Sequence, residues 1–410
     1  MKRKSNLLVG GTFVVLLVAL GVGQSIIGRA AARQQRATQA QAPRFEVDPM
    51  WPRPLPNHWV LGQTIGVWVD EQDVIWTVNR SSDSLANQEK ALELKAGECC
   101  QGAPPILAYD PAGNVVRHWG GPGQGYDWPN SNHGIFVDHT GSVWIGGNGP
   151  GDSHILKFTK DGKFLQQIGK PNARQVAPAK PEAKPTYVGG STDQSNFGRV
   201  AKITVDPKTN EAFIADGYLN KRVAVLDGAT GNMKRFWGAY GNKPDDTNLG
   251  PYNPDDPPAK QFRNPVHCAD LSKDGFLYVC DRVNDRLQVF RPDGTFVKEV
   301  FIMKSTKAAG SVWDLAFSKD PQQRYLYVAD GINNRVHILQ RDTLELLTSF
   351  GDGGRQPGQF YGVHSIATDS KGNIYTTETW EGKRLQKFVN KGVGRVTSPN
   401  QGVLWPRSTQ

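Results

Sequence analysis

The stretch Asn132-His133-Gly134-Ile135-Phe136-Val137-Asp138 returns in five further versions, at residues 65–70, 201–206, 267–272, 313–318 and 364–369. Each is a short apolar run that closes on Asp or Ser. A turn rich in Gly, Asp, Lys or Asn follows, and then a second run of aromatic and β-branched residues, at 74–78, 143–147, 212–216, 277–281, 326–330 and 374–378. Two strand-length apolar runs about such a turn read as a β-hairpin. With the six copies in phase, the residue opening the first strand is Ile65, His133, Ala201, His267, Trp313 and His364. Histidine opens every second copy.

A second hairpin follows each of the first five: 106–110 with 115–119, 154–159 with 164–168, 222–227 with 233–237, 286–291 with 295–300, and 335–340 with 344–350. Turns such as Asp110-Pro111-Ala112-Gly113-Asn114, Lys160-Asp161-Gly162-Lys163 and Pro292-Asp293-Gly294 carry the residues that tight turns demand. Four strands per unit at a period of about 40–50 residues mark a β-propeller. The sequence therefore predicts an all-β, six-bladed β-propeller of four-stranded blades over residues 43–397, with 398–410 as a C-terminal tail. Residues 384–389 supply the third strand of the last blade, and its fourth is either 393–397 or the N-terminal 45–48, which would clasp the ring. Three insertions, 81–105, 170–196 and 240–264, fall in loops that enter a first strand or join a second to a third. Such loops open on the face where the first strands begin, so the insertions should wall that face.

Composition agrees. Gly 45 and Pro 27 against Met 4, with no long amphipathic helical pattern, suit a turn-rich β protein, and 410 residues suffice to bury a large core. The formal charge of +9 suggests nucleic acid at first sight, but residues 1–42 hold six basic residues and no acid, which leaves the body only about +3. That balance argues against nucleic-acid binding.

Lys2-Arg3-Lys4 followed by an apolar run over residues 7–27 reads as a signal peptide or an uncleaved membrane anchor within 1–42. Ala30-Ala31-Ala32 and Ala40-Gln41-Ala42 are candidate cleavage sites, which favours export with cleavage. Either way the body is expected outside the cytoplasm, periplasmic, secreted or anchored, touching the membrane only through an uncleaved segment. Four cysteines fit an oxidising compartment. Cys268 and Cys280 fall about in register across the Lys273-Asp274-Gly275 turn and suit either a bridge or two small core residues. Adjacent Cys99-Cys100 leaves vicinal bridging, pairing elsewhere, a redox role and free thiols all open.

Consecutive blades of a six-bladed ring turn by about 60°, so His133, His267 and His364 stand about 120° apart at one height of the central channel. Three neutral imidazole nitrogens around an open position form the donor set of a catalytic zinc, and copper, nickel or iron could use the same ligands. The loop after each second strand meets the same height. There the acids Asp216, Asp281, Asp330 and Glu378 are expected to tie down the repeat, whereas Arg80, Tyr218 and Arg282 do not recur in most other blades. A guanidinium fork binds a carboxylate through two bonds, and a phenol beside a dication gives up its proton more readily. Metal, phenol and two guanidiniums suit a small, carboxylate-bearing substrate.

The repeats resemble NHL repeats, and the constellation resembles the lyase domain of peptidylglycine α-amidating enzymes, peptidyl-α-hydroxyglycine α-amidating lyase. The similarity covers roughly residues 61–389 and rests on Asn132-His133-Gly134, Asp216-Gly217-Tyr218-Leu219-Asn220-Lys221-Arg222, Pro265-Val266-His267 with Asp281-Arg282-Val283-Asn284-Asp285-Arg286, and Gly362-Val363-His364. The resemblance implies zinc on His133, His267 and His364, Tyr218 as the catalytic base, and Arg80 and Arg282 as catalytic residues that hold the substrate. It also implies a structural calcium held by backbone oxygens, here near Val67 and Ile135, and by an Asp directly after the last histidine. Ser365 stands at that position.

The expected function is an exported, metal-dependent lyase that splits the C–N bond of a carbinolamide such as a peptidyl-α-hydroxyglycine, giving an amide and glyoxylate. The substrate is small and carboxylate-bearing or peptide-like, and a monomer is expected. The alternative is a non-catalytic exported propeller that binds a small ligand or a protein partner. A lactonase-type hydrolase fits less well, since such propellers centre on calcium held by Asp, Asn and Glu rather than on three histidines.

Overall fold

Six four-stranded antiparallel sheets form a ring in the computed structural model, which describes residues 40–406 except 179 and 181. The expected leader lies outside the described residues up to residue 39, as do residues 407–410 of the tail. The inner strands are Gln63–Val69, Asn132–Val137, Val200–Val205, Val266–Leu271, Asp314–Phe317 and Val363–Thr368. Each lies against the inner strands of both neighbouring blades, and the sixth against the first, so the ring is closed. The protein is a six-bladed β-propeller. Among the described residues no helix is long and apolar enough to cross a membrane.

The hairpin signature has a direct physical cause. One oxygen of Asp138 accepts the backbone N–H groups of Thr140 and Ser142 at 2.9 Å each, while its other oxygen takes the indole N–H of the fully buried Trp144 at 2.7 Å. Asp70 does the same for Gln72, Val74 and Trp76, and Asp369 for Lys371, Asn373 and the Tyr375 hydroxyl. A single carboxylate thus closes the turn and satisfies the polar edge of a buried aromatic ring, which lets the ring enter the core at no cost in unpaired hydrogen bonds.

In blades three to six a second set of acids ties the end of the second strand to the third. Asp216 pairs with Arg222 at 2.8 Å and Asp281 with Arg286 at 2.7 Å, all four side chains fully buried. Glu378 pairs with Arg384 at 2.7 Å and Asp330 with His337 at 2.9 Å. These acids therefore serve the scaffold, as their recurrence suggested. Removing one partner of such a buried pair costs about 3–5 kcal/mol, because the other charge is left uncompensated in a dry site.

Apolar side chains fill the space between blades. Phe136, Trp144 and Ile155 of the second blade, for example, meet Ile203, Ile214 and Leu226 of the third. Each fully buried side chain of this size contributes about 1.5–3 kcal/mol. The last blade is completed by Gln41–Asp48, which runs antiparallel to Leu385–Arg395 and buries Phe45 against Tyr327 and Phe350. Of the two candidate fourth strands the N-terminal one is used, because residues 393–395 continue the third strand instead. A cut after Ala42 would fall inside this closing strand. The described part of the tail is docked: Ser349 N–H donates to Pro399 O at 3.0 Å, Gly351 to Gly402 O at 2.8 Å, and Val47 to Leu404 O at 2.7 Å.

The insertions gather around the histidine end of the ring. The first contains a short helix, Ser81–Ser84, and is tied to the last blade by an ion pair between Glu89 and Lys383 at 2.9 Å. The second forms a small hairpin, Gln175–Val176 with Thr186–Tyr187. Asp246 of the third accepts the Ser191 backbone N–H of the second at 2.9 Å, so these two loops are clipped together beside the Tyr218–Arg222 turn. Cys268 and Cys280 face each other in register and are bridged, with a Cα separation of 4.8 Å, and Cys99 is bridged to Cys100.

Candidate metal centre

His133, His267 and His364 converge on the channel axis, with ring centroids 4.9–5.2 Å apart in all three pairs. Their approach depends on a backbone feature that the residue pattern does not announce. In five of the six inner strands the register slips at the opening position, at 64/66, 133/135, 200/202, 266/268 and 363/365. A bulge re-aims a side chain that regular alternation would direct elsewhere. Gly134, with φ +61°, allows the second of these, and any Cβ there would be driven into the Ala201 carbonyl.

Each imidazole is held the same way. His133 Nδ1 donates to Ala201 O at 2.7 Å, His364 Nδ1 to Ile65 O at 2.6 Å, and His267 Nδ1 to Trp313 O. The acceptor is always the opening residue of the following blade. A carbonyl can only accept, so the proton is fixed on Nδ1 and Nε2 is left as a lone pair facing the axis. This is the outer-shell arrangement that orients metal-binding histidines. Burial drives all three imidazoles toward the neutral form, His364 down to about 3 and the others well below the ordinary value; Arg282 and Arg80 add to the effect. Neutral nitrogens are what a metal needs.

Tyr218 completes the centre. Gly217, where a Cβ would meet the Val266 backbone, brings the chain close, and the Tyr218 N–H is anchored on Arg199 O at 3.1 Å. The phenol oxygen lies 2.9 Å from His133 Nε2 and 2.8 Å from His267 Nε2, and Arg282 Nη1 donates to it at 3.2 Å. The hydroxyl has one proton to offer two acceptor nitrogens, so one of these approaches sets lone pair against lone pair. A cation taking the Nε2 lone pairs removes that conflict. The three histidine nitrogens can be chosen within 4.8 Å of one another, and the residues fit a metal ion with imidazole ligands.

Arg80, at the end of Ile75–Arg80, bonds neutral oxygens: Asn132 O at 3.0 Å and Asn148 Oδ1 at 2.7 Å. Its cation is buried, which lowers its pKa. The Arg282 guanidinium lies over the Trp313 ring at 4.5 Å and over the Tyr218 ring at 5.5 Å, and its Nε is buried with no hydrogen-bond partner. Sequence reasoning placed Arg80, Tyr218 and Arg282 around the ring but overlooked Trp313 as the platform of Arg282, and Asn132 and Asn148 as the clamp on Arg80. Trp313 was visible as the one indole among the six opening positions.

The implied calcium does not fit the residues present. Val67 and Ile135 do line the channel beneath the histidines, but so do Lys202 and Asp314. The Lys202 ammonium already stands there, 2.9 Å from Asp270 Oδ1 and 2.5 Å from Asp314 Oδ1. Ser365 donates to Asp314 Oδ2 at 2.6 Å instead of contributing a carboxylate of its own.

No protein-family model matches the chain. Among known proteins it is similar to peptidyl-alpha-hydroxyglycine alpha-amidating lyase 1 of Drosophila melanogaster, 27% identical over 313 residues, 72% of this chain and 50% of that protein. Peptidyl-glycine alpha-amidating monooxygenase B of Xenopus laevis is 25% identical over 278 residues, 65% of this chain and 27% of that protein. NHL repeat-containing protein 3 of Mus musculus is 25% identical over 366 residues, 85% of this chain and 84% of that protein. The chain thus spans half the length of the fly lyase and about a quarter of the frog enzyme. By its fold and these similarities, the chain is an NHL-like six-bladed propeller that resembles the amidating lyases.

Proposed function

We propose that this protein is an exported, metal-dependent lyase that cleaves the C–N bond of a carbinolamide carrying a carboxylate, such as a peptidyl-α-hydroxyglycine, to an amide and glyoxylate. The observation that carries the reading is the position of the Tyr218 hydroxyl, within hydrogen-bond distance of two Nε2 atoms and of Arg282. His133, His267 and His364 would hold the ion, with zinc the metal best suited to three imidazoles; when bound it supplies a Lewis acid that acidifies a hydroxyl. With the ion bound, Tyr218 would act as the phenolate and take the proton from the substrate hydroxyl. The C=O of glyoxylate forms as the C–N electron pair leaves with the amide nitrogen, which ends with one added proton, so the overall reaction moves one proton from oxygen to nitrogen. Arg282, with its unfilled Nε, and Arg80 hold the carboxylate.

If so, Arg80→Lys and Arg282→Lys should each raise KM for an N-acyl-α-hydroxyglycine roughly 10- to 100-fold, the worth of a charge-assisted fork. The corresponding uncharged ester should be nearly indifferent to either change. Steady-state glyoxylate release on both compounds tests this, and an equal loss on acid and ester would remove the carboxylate-binding role.

Export is supported by the basic and apolar N-terminal stretch and by two disulfides. Cell fractionation should find the chain outside the cytoplasm, and recovery of the intact, reduced chain from the cytoplasm would contradict export. A second reading is a binding propeller without turnover. It is favoured by the match to NHL repeat-containing protein 3, which extends over more of the chain than the match to the fly lyase. It predicts ligand binding that survives loss of Tyr218 and no glyoxylate from any carbinolamide.

A further inference from the structure

Beneath the histidines lies a second layer of the channel. The residues that follow the six opening positions are Gly66, Gly134, Lys202, Cys268, Asp314 and Ser365. Four are small or uncharged, and the two charged ones meet. Lys202 Nζ lies between Asp314 Oδ1 and Asp270 Oδ1, and the three side chains are no more than 7% exposed. Asp314 Oδ2 accepts the Ser365 hydroxyl at 2.6 Å and the Ile366 N–H at 3.1 Å. The second oxygen of Asp270 is buried with no partner.

Such a cluster is costly to bury and fills no apolar gap, since desolvating three charges opposes folding unless their mutual contacts offset it. Its chemistry is that of a cation site. Asp314 and Ser365 line the channel together with Gly66, Val67, Gly134 and Ile135, and Asp270 joins them through Lys202, so two carboxylates and a hydroxyl gather there, oxygen donors of the kind that take a hard divalent ion. One positive charge already sits among those oxygens, carried on a side chain rather than drawn from solution.

We propose that Lys202 is a tethered counter-cation that replaces a divalent ion in the channel, so that the platform under the histidines holds together without calcium. The corollary is a latent site: with the ammonium removed, Asp270, Asp314 and Ser365 should bind calcium. Two buried carboxylates whose only cation is gone repel each other, and an ion supplied by the solvent is the available remedy. This inference does not depend on any catalytic activity of the histidine centre.

The test is thermal unfolding of the full chain and of Lys202→Ala, each in calcium-depleted buffer and in millimolar calcium chloride with zinc held constant, together with calcium content by elemental analysis. The wild type should carry no stoichiometric calcium, and its Tm should be unchanged by added calcium. Lys202→Ala should be less stable without calcium, or unfolded, and calcium should raise its Tm by about 5 °C or restore its fold. A triple variant, Lys202→Ala with Asp270→Asn and Asp314→Asn, should fold and ignore calcium. Calcium bound to the wild type would overturn the proposal. So would a Lys202→Ala protein that ignores calcium, whether folded or not.

Discussion

Tyr218→Phe is expected to lower kcat for glyoxylate release about 10²- to 10⁴-fold, the usual worth of a positioned general base, while bound metal stays at the wild-type level. Phenylalanine keeps the ring that packs beside His133 and His267, with centroids at 5.0 and 5.5 Å, and removes only the oxygen. The three Nε2 atoms remain, each still oriented by its Nδ1–H bond to the following blade. Removing the hydroxyl also ends the sharing of one proton between two acceptors, so metal affinity should hold or rise. KM should change little, because the carboxylate is held by the arginines. Steady-state kinetics beside elemental analysis separates the two effects. Full turnover in this variant would take the proton-accepting role away from Tyr218.

Each of His133→Ala, His267→Ala and His364→Ala should lose the metal and bring turnover to background. Two imidazoles cannot complete a site built for three, and no other His, Cys, Asp or Glu side chain is grouped with them among the described residues. Each substitution also deletes one hydrogen bond between neighbouring blades, worth about 0.5–1.5 kcal/mol. That loss is small for a ring closed by a paired fourth strand, so the variants should unfold only slightly below the wild-type temperature. Thermal unfolding separates this prediction from collapse of the fold. A folded variant that keeps both metal and activity would mean that its histidine is a packed channel residue and nothing more.

The ring itself was legible because the repeat repeats its own chemistry. An apolar run ending in Asp, with Trp six residues later at Asp70/Trp76 and Asp138/Trp144, is one hydrogen-bonding device written twice. The histidines were legible because they alternate in phase. Their final aim was less so: it depends on bulges at the opening positions, and a bulge is a backbone event set by the neighbouring strand, not by residue type. The Lys202–Asp314 contact escaped for a related reason. Ala201-Lys202 and Trp313-Asp314 occupy equivalent places in blades three and five, so the phasing put both charges at one height. Regular alternation would have pointed each away from its preceding neighbour, and only the slipped register at 200/202 shows why Lys202 can turn into the channel. Arg80 stands out in the sequence as foreign to the repeat, yet its clamp uses the Asn132 backbone carbonyl, which no side-chain pattern records.

Whether the three histidines hold a metal ion is decided by elemental analysis of the purified chain after incubation with zinc. About one zinc per chain, retained in Tyr218→Phe and absent from each histidine variant, is the predicted result. A wild-type chain that binds no metal even with zinc supplied would contradict it and leave the binding propeller as the function of this fold.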